Sequence, residues 1–468
     1  MSPCGAKLAS GLSNYNPNLV SMRPCRRYDF VSQASAQVES RTLLAANDSF
    51  INPVDQDAYG LVGKPTPRDA IMTEGFDCIV LGVGGFGSGA LYHLARRGAR
   101  VLGIERFDVA HDRGSSHGET RIIRKAYFEH ADYVPLLHRA YELWHELERD
   151  TGRRLLHPVG LFIAGLPQCE SIAGTLHAAA LHNLPVEKLD PAAARRRFPG
   201  YRFHDNFSIV FEPEAGYLEV ESCVATHVAG AVAHGAQVRT NETIVQWESD
   251  GRRVVVKTDK GDYSAASLII TAGPWASQLL GGRDNLTRDD STQDDFTWGN
   301  SLRVVRKPVF WFAADDTYDV GRGNSTFFFE TPGSLETPSG QFYGFPRIDG
   351  RTIKMAEHTG GETVVDPLTV DRTYHAADLA RVSEFLKEYM PAIEPRLIRH
   401  SVCMYTKTPD GHFCIDRHPE WNNVVFGAGF SGHGFKFTTV LGEALADLAL
   451  AGQTSLPVGF LSMKRFCG

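Results

Sequence analysis

The chain lacks any cysteine pair at redox or metal-ligand spacing. Its eight cysteines stand at positions 4, 25, 78, 169, 223, 403, 414 and 467, and none falls in a CxxC motif. That scatter suggests neither a zinc site nor a disulfide framework; it fits a reducing compartment, expected to be the cytoplasm. Also missing are an apolar run near the ~18 residues that would span a bilayer and the apolar core of a secretory signal. Positive charge is not in excess: the formal net charge of −7 argues against nonspecific nucleic-acid binding and against a basic membrane face. No Ser-His-Asp arrangement, metal-ligand cluster or P-loop is legible. What is present, 43% hydrophobic and 22% charged residues, is the composition of an ordinary globular protein. At 468 residues it is too long for one simple core, so two domains are expected.

The strongest positive signal is residues 76–105, FDCIVLGVGGFGSGALYHLARRGARVLGIE. An apolar run ends in a turn containing Gly82, Gly84 and Gly87, a helical pattern follows, and a second apolar run ends in Glu105. This is the pattern of a βαβ dinucleotide unit. The glycines allow a tight turn and a close approach of the backbone to a pyrophosphate at the helix N-terminus. Glu105 stands about twenty residues on, where a carboxylate can accept from a ribose. The fingerprint alone leaves NAD and FAD open.

Further along, 133–147 reads as an amphipathic helix. Leu136, Leu137, Ala140, Leu143, Trp144 and Leu147 fall on one face, and Arg139, Glu142 and Glu146 on the other. Strands are expected at 159–164, 208–212, 236–239, 243–247 and 252–258, a helix at 220–234, and a buried strand at 267–275 ending in a Gly-containing turn. Between 302 and 357 short alternating segments point to an antiparallel sheet. A helix over 376–389 follows, then a return to α/β pattern. The expected fold class is α/β: a discontinuous Rossmann-like nucleotide domain (76–158, 215–280 and 400–468) with an inserted antiparallel-sheet substrate domain (159–214 and 301–399). The polar, acidic stretch 281–300 reads as a surface loop.

Three more clusters make the chain recognisable: GSSHGETRIIR (114–124), SVCMYTKTPDGHF (401–413) and GAGFSGHGFKF (427–437). With the opening fingerprint they closely resemble the monomeric sarcosine oxidase and N-methyltryptophan oxidase family, from about Phe76 to about Gly452; pipecolate oxidases are similar too. Members are FAD-dependent amine oxidases that bind the flavin covalently through a cysteine thioether. The resemblance implies FAD as the cofactor and Cys403 as the attachment point, although composition alone does not prefer Cys403 over Cys414. The FSGHGFKF turn also favours FAD, because a helix end there, with Lys436, can stabilise negative charge on the reduced ring.

The same resemblance implies that Gly82, Gly84, Gly87, Glu105, Ser115, His117, Thr120, Arg121, Gly432, Gly434 and Lys436 line the cofactor site. It implies that Arg124 and Lys436 clamp the substrate carboxylate, and that Lys354 assists reduction of O2. Arg121, Tyr343 and His358 would stand around the flavin and the amine. Without the family, Arg121 and Arg124 default to solvated positions on a helix, and Lys354 to an outward strand position between Ile353 and Met355. Met355-Ala356-Glu357 is a more acidic approach to His358 than relatives carry, which bears on pocket polarity.

The implied activity is oxidation of a secondary amino acid. Hydride leaves the carbon beside nitrogen for the flavin, the imine hydrolyses, and O2 returns as H2O2. The partners are thus a small amine and O2, with no metal, nucleic acid or membrane, and the family favours a monomer. Cyclic imino acids such as pipecolate or proline, or another electron acceptor in a same-fold dehydrogenase, are the alternatives. A flavin-binding scaffold and a nicotinamide dehydrogenase rank behind them. Residues 1–72 are rich in Ser, Asn, Ala and Pro and read as a dispensable, disordered extension. A chain beginning at Met72 is expected to keep its cofactor and activity, and failure to fold would overturn that reading.

Overall fold

The computed structural model describes residues 75–280, 301–333 and 339–466. The expectations for 1–72 and for the 281–300 loop lie outside them. Among the described residues no helix is long and apolar enough to cross a membrane.

The first sheet has eight strands and is built around Gly75–Leu81. That strand runs parallel to Val101–Ile104 on one side and to Asp262–Ile270 on the other. Cys78, Ile79, Val80 and Leu81 are all fully buried, because the sheet is covered on both faces. This explains why the strand reads as a continuous apolar run rather than an alternating one. Cys78 and Val80 face the cluster that includes helices Gly85–Arg96 and Thr438–Ala451; Ile79 and Leu81 face the cluster that includes Trp247, Val254 and Val256. The C-terminal strand Val424–Ala428 joins this sheet parallel to Asp262–Ile270, with Leu268 opposite Val424. The first and last parts of the chain therefore share one sheet, as expected. The fold class is α/β.

The second sheet has nine strands, and its pairings are antiparallel except that Leu161–Gly165 runs parallel to Thr326–Thr331. Its longest pairing joins Arg303–Ala313 to Leu397–Lys407, which sets Lys307 opposite Cys403. The strand that carries Cys403 thus hydrogen-bonds into this second sheet, although residues from 400 onward were assigned to the nucleotide side by sequence pattern. One face packs Phe310, Phe312, Phe327, Phe329, Phe342, Ile353 and Met355 against helix Ala376–Tyr389. The opposite face carries Trp311, Phe328, Tyr343 and Phe345. Lys354 alternates with Ile353 and Met355 and so falls on that second face, opposite Trp311 and Phe345 in register. Both faces are buried, so the outward strand lysine of the default reading is overturned: Lys354 is only 3% exposed. A small third sheet pairs Thr120–Ile123 with Gly216–Glu219, which in turn pairs Leu156–His157. It places Arg121 on a strand, not on a helix.

Helices Gly85–Arg96 and Thr438–Ala451 touch backbone to backbone. A Cβ on Gly89 would stand 2.3 Å from the Thr438 carbonyl oxygen, and one on Gly442 would stand 2.5 Å from the Gly89 carbonyl carbon. Gly442→Ala is expected to force the helices apart and destabilise the fold by about 1–3 kcal/mol. A thermal melt checks this; an unchanged midpoint would mean that the helices separate freely.

Candidate active site

The turn after Gly75–Leu81 opens a groove in which each fingerprint glycine has its own reason. Gly82 has φ +85°, a left-handed conformation, and a Cβ there would press on Thr271 O at 2.8 Å. Gly87 is a packing position, since its Cβ would meet Gly82 O at 1.9 Å. At Gly84 a Cβ would meet nothing within 4 Å. A side chain there would instead intrude on the open groove, so the protein's own packing does not demand this glycine, whereas a closely approaching pyrophosphate does. Groove walls include Glu105, Ser115, Ser116, Arg121, Trp275, Tyr405, Gly432 and Gly434. Trp275 Nε1 is buried there without a hydrogen-bond partner among the described residues. These features fit an extended dinucleotide.

Glu105 is buried and its carboxylate is already oriented. Oε2 accepts from Val83 N at 2.8 Å and Oε1 from Phe107 N at 3.1 Å, with His111 Nε2 at 3.3 Å from Oε1. The sequence reading missed His111. His111 Nδ1 accepts from Arg113 N at 3.0 Å, which leaves Nε2 to donate toward Glu105.

Where the groove turns inward it meets a second cavity, lined by Arg121, Arg124, Phe128, Glu129, Tyr343, His358, Gly432, His433 and Lys436 among others. Four residues expected near the substrate (Arg124, Lys436, Tyr343 and His358) therefore converge, although they come from separate elements. Arg121, Gly432 and Phe435 line both cavities. Lys436 belongs to this second cavity and does not line the groove. His117, Thr120, Cys403 and Gly87 do not line the groove either.

Arg124 is 5% exposed, against the solvated default. Its guanidinium donates to Ala126 O at 2.8 Å and to Glu129 Oε2 at 2.5 Å, and it lies 4.2 Å from the ring centres of both Tyr127 and Phe128. Lys436 Nζ donates to His433 O at 2.8 Å. Burial, helped by the Arg124 charge, brings Lys436 down to about 7. For Glu129 burial works upward, but Arg124, His433 and Lys436 outweigh it and hold the carboxyl at about 2. The sequence reading passed over Glu129. It sits in a short loop with no periodicity, and its partner Arg124 was expected in water.

His433 Nε2 stands 3.0 Å from the Gly411 carbonyl, and Nδ1 stands 2.5 Å from the Tyr127 hydroxyl. The carbonyl can only accept, so Nε2 carries the hydrogen and Nδ1 accepts from Tyr127. Burial lowers His433 to about 4 and His358 to about 3, so both imidazoles are neutral at physiological pH. His358 Nδ1 lies 3.4 Å from the Tyr405 hydroxyl. Glu357 turns away from the cavity to pair with Arg381 at 3.0 Å and to accept from Thr359 Oγ1 at 2.9 Å. The acidic stretch before His358 therefore does not make the pocket acidic.

Cys403 lies behind Arg121. Its sulfur is 3.1 Å from Arg121 Nη2 and 3.3 Å from His117 Nε2, while His117 Nδ1 faces Ser401 Oγ at 3.3 Å. Burial alone would raise the thiol, but His117 and Arg121 outweigh it and bring Cys403 down to about 6. The contrast with Cys414, which burial pushes far up, separates two cysteines that composition could not. Arg121 also donates to Ser115 O and Thr120 O, each at 2.9 Å. Lys354 opens to neither of the first two cavities; it borders a third with Glu119, Thr120, Glu221, Trp311 and Phe345. Its ammonium donates to Gly118 O at 2.5 Å, Thr120 O at 2.7 Å and Thr120 Oγ1 at 3.1 Å. Burial, then the Arg121 charge, pushes Lys354 well below the usual lysine range.

A glycine-built groove joined to a cationic pocket, with a low-pKa thiol behind the arginine that both cavities share, defines a nucleotide-dependent redox enzyme. The chain belongs to the FAD dependent oxidoreductase family, whose profile matches residues 77–448. Its cofactor is FAD. Among curated relatives it is 39% identical over 399 residues to the monomeric sarcosine oxidase of Bacillus sp. (strain B-0618), covering 84% of this chain and 97% of that one. It is 33% identical over 395 residues to the N-methyl-L-tryptophan oxidase of Yersinia pestis (strain Pestoides F), covering 84% and 99%. The fold is also that of NikD, an unusual amino acid oxidase (TM-score 0.71, 24% identity, 83% and 98% covered). L-proline dehydrogenase from P. horikoshii shares it as well (TM-score 0.69, 22% identity, 84% and 98% covered).

The ionisation of Lys436 has a measurable consequence. The ammonium is charged below about 7 and neutral above it, so a bound anion should hold less well as pH rises through that value. Propionate, which has no amine to titrate, is expected to bind roughly tenfold more weakly at the alkaline end. Spectral titration of the flavin measures this, and a flat profile would mean that Lys436 does not meet the bound anion.

Proposed function

We propose that this flavoprotein is an oxidase of small secondary amino acids, with N-methyl amino acids such as sarcosine first and cyclic imino acids such as pipecolate or proline second. The observation that carries the reading is the convergence of Arg124 and Lys436 with Tyr343 and His358 in one cavity that opens onto the dinucleotide groove. Bound FAD supplies the two-electron acceptor.

Arg124 and Lys436 receive the substrate carboxylate. Arg124 offers the substrate N–H donors that Ala126 O and Glu129 leave unused, so Glu129 keeps its partner and no buried charge is left unpaired. The clamp directs the amine toward Tyr343 and His358. The neutral His358 imidazole and the fixed Arg121 charge favour the free-base amine, the form whose lone pair assists oxidation. Ile122, Phe128, Leu161 and Phe328 keep the remaining wall apolar and restrict water.

Cys403 is the proposed thioether attachment. Its low pKa supplies the thiolate that bond formation needs, and His117 and Arg121 hold the sulfur in place. Lys354 is the proposed cation beside the flavin that assists reduction of O2 to H2O2. We further assign a monomeric state and a cytoplasmic location, consistent with the five free cysteines among the described residues.

The test is anaerobic mixing with sarcosine, N-methyltryptophan, pipecolate and proline in turn, followed by air. One compound should bleach the flavin, and air should restore it with release of H2O2. Lys354→Met should slow that recovery by about 100-fold or more, and Cys403→Ala should let FAD leave on denaturation. Bleaching without recovery in air would make the protein a dehydrogenase with another acceptor. No bleaching by any of the four would sink the substrate class.

A further inference from the structure

The sequence reading gave Glu221 no role, and it lines neither the groove nor the substrate cavity. It stands in the first turn of helix Val220–Ala233, where the helix dipole favours a negative charge. Its carboxylate reaches back across a hundred residues to two consecutive amides. Gly118 N donates to Oε1 at 2.6 Å, and Glu119 N donates to Oε1 at 3.1 Å and Oε2 at 3.0 Å.

Those two amides belong to a turn of unusual conformation. Gly118 has φ +88° and Glu119 φ +72°, and an L residue such as Glu119 adopts that form only where its surroundings enforce it. Every polar group of Glu119 is engaged. Its carbonyl accepts from Val220 N at 2.8 Å, its Oε2 accepts from Trp311 Nε1 at 3.0 Å, and its Oε1 pairs with Arg399, whose guanidinium lies 3.9 Å from the centre of the Trp311 ring.

The turn is held so firmly because its two sides face the two reactive groups. On one side the Gly118 carbonyl accepts from Lys354 Nζ. On the other, the His117 ring stands 3.3 Å from the Cys403 sulfur. Rotation of the 117–119 peptides would take an oxygen from Lys354 and turn the imidazole away from Cys403 in one movement.

We propose that Glu221 is a positioning residue that clamps the His117-Gly118-Glu119 turn in its left-handed form, and so sets the Lys354 nitrogen and the Cys403 sulfur together. The assignment rests on the roles proposed above for those two residues. The substrate clamp lies outside its reach, because Arg124, Lys436 and His358 share no hydrogen bond with the turn.

Two variants of the holoenzyme probe the clamp by different means. Glu221→Gln exchanges one accepting oxygen for an NH2 that cannot accept from an amide. Gly118→Ala leaves the new Cβ 3.8 Å from its nearest neighbours, so it disturbs the backbone preference without a clash. Three quantities are read: the intact mass of the denatured chain for covalent flavin, the rate of anaerobic bleaching by substrate, and the rate of reoxidation in air. Both variants should lower the covalently flavinylated fraction and slow reoxidation about ten- to a hundredfold, while bleaching keeps its wild-type rate. Equal slowing of bleaching and reoxidation would reveal a merely structural role and overturn the clamp, as would no change in either attachment or reoxidation. Cys403→Ala and Lys354→Met, measured alongside, separate the two kinds of failure. If they respond and the clamp variants do not, only the clamp is wrong. If they behave as wild type, the underlying roles are wrong and the clamp falls with them.

Discussion

Burying positive charge is the constraint around which this site is arranged. Arg124, Lys354 and Lys436 are buried within one region and Arg121, which walls the groove, is half-buried beside them; an isolated buried cation is strongly disfavoured. Each is accommodated differently. Arg124 has a full counter-ion in Glu129. Arg121 has carbonyl oxygens and the Cys403 sulfur, so the cation and the thiolate stabilise each other. The two lysines are held mainly by neutral oxygens, and both give way by lowering their proton affinity. Arginine does not have that option near neutral pH, which is why the two arginines take the anionic partners.

That division has functional meaning. Arg124 keeps its full charge whatever it binds, which is what its proposed part in holding the substrate carboxylate asks of it. The Lys354 side chain, fixed by backbone oxygens, stays in place, which is what its proposed part in O2 reduction asks of it. The cavities follow the same division: Arg124 and Lys436 line one and Lys354 another. Arg121, Gly432 and Phe435, common to the groove and the second cavity, mark the place where the two spaces meet.

Much of the scaffold was legible before the structure. Strand Gly75–Leu81 and the helix after it follow from an apolar run and a glycine turn. Helix Val134–Thr151 follows from a 3.6-residue period whose apolar face is buried as expected. Where pattern and structure diverge, burial or strand pairing is the cause. Lys354 lies on a strand buried on both faces, so alternation suggested exposure where there is none. Cys403 was assigned to the nucleotide part because its motif precedes the last strand of that sheet, yet its own strand pairs with Arg303–Ala313. Glu221 and Trp311 were passed over because each acts on a partner distant in sequence, and Glu129 because its near neighbour Arg124 was expected in water. No local period records a contact between residues 118 and 221.

By itself the sequence determined the dinucleotide fingerprint, the helix and strand pattern, and the family motifs. All of these rest on short-range chemistry: glycine's access to positive φ, helical and strand periodicity, and residue types at fixed local spacing. Only the tertiary structure decided which cysteine is activated, which carboxylate opposes Arg124, and which way Glu357 and Lys436 face. Those outcomes depend on electrostatics between groups set side by side by folding, and on how completely folding removes the water that would otherwise screen them.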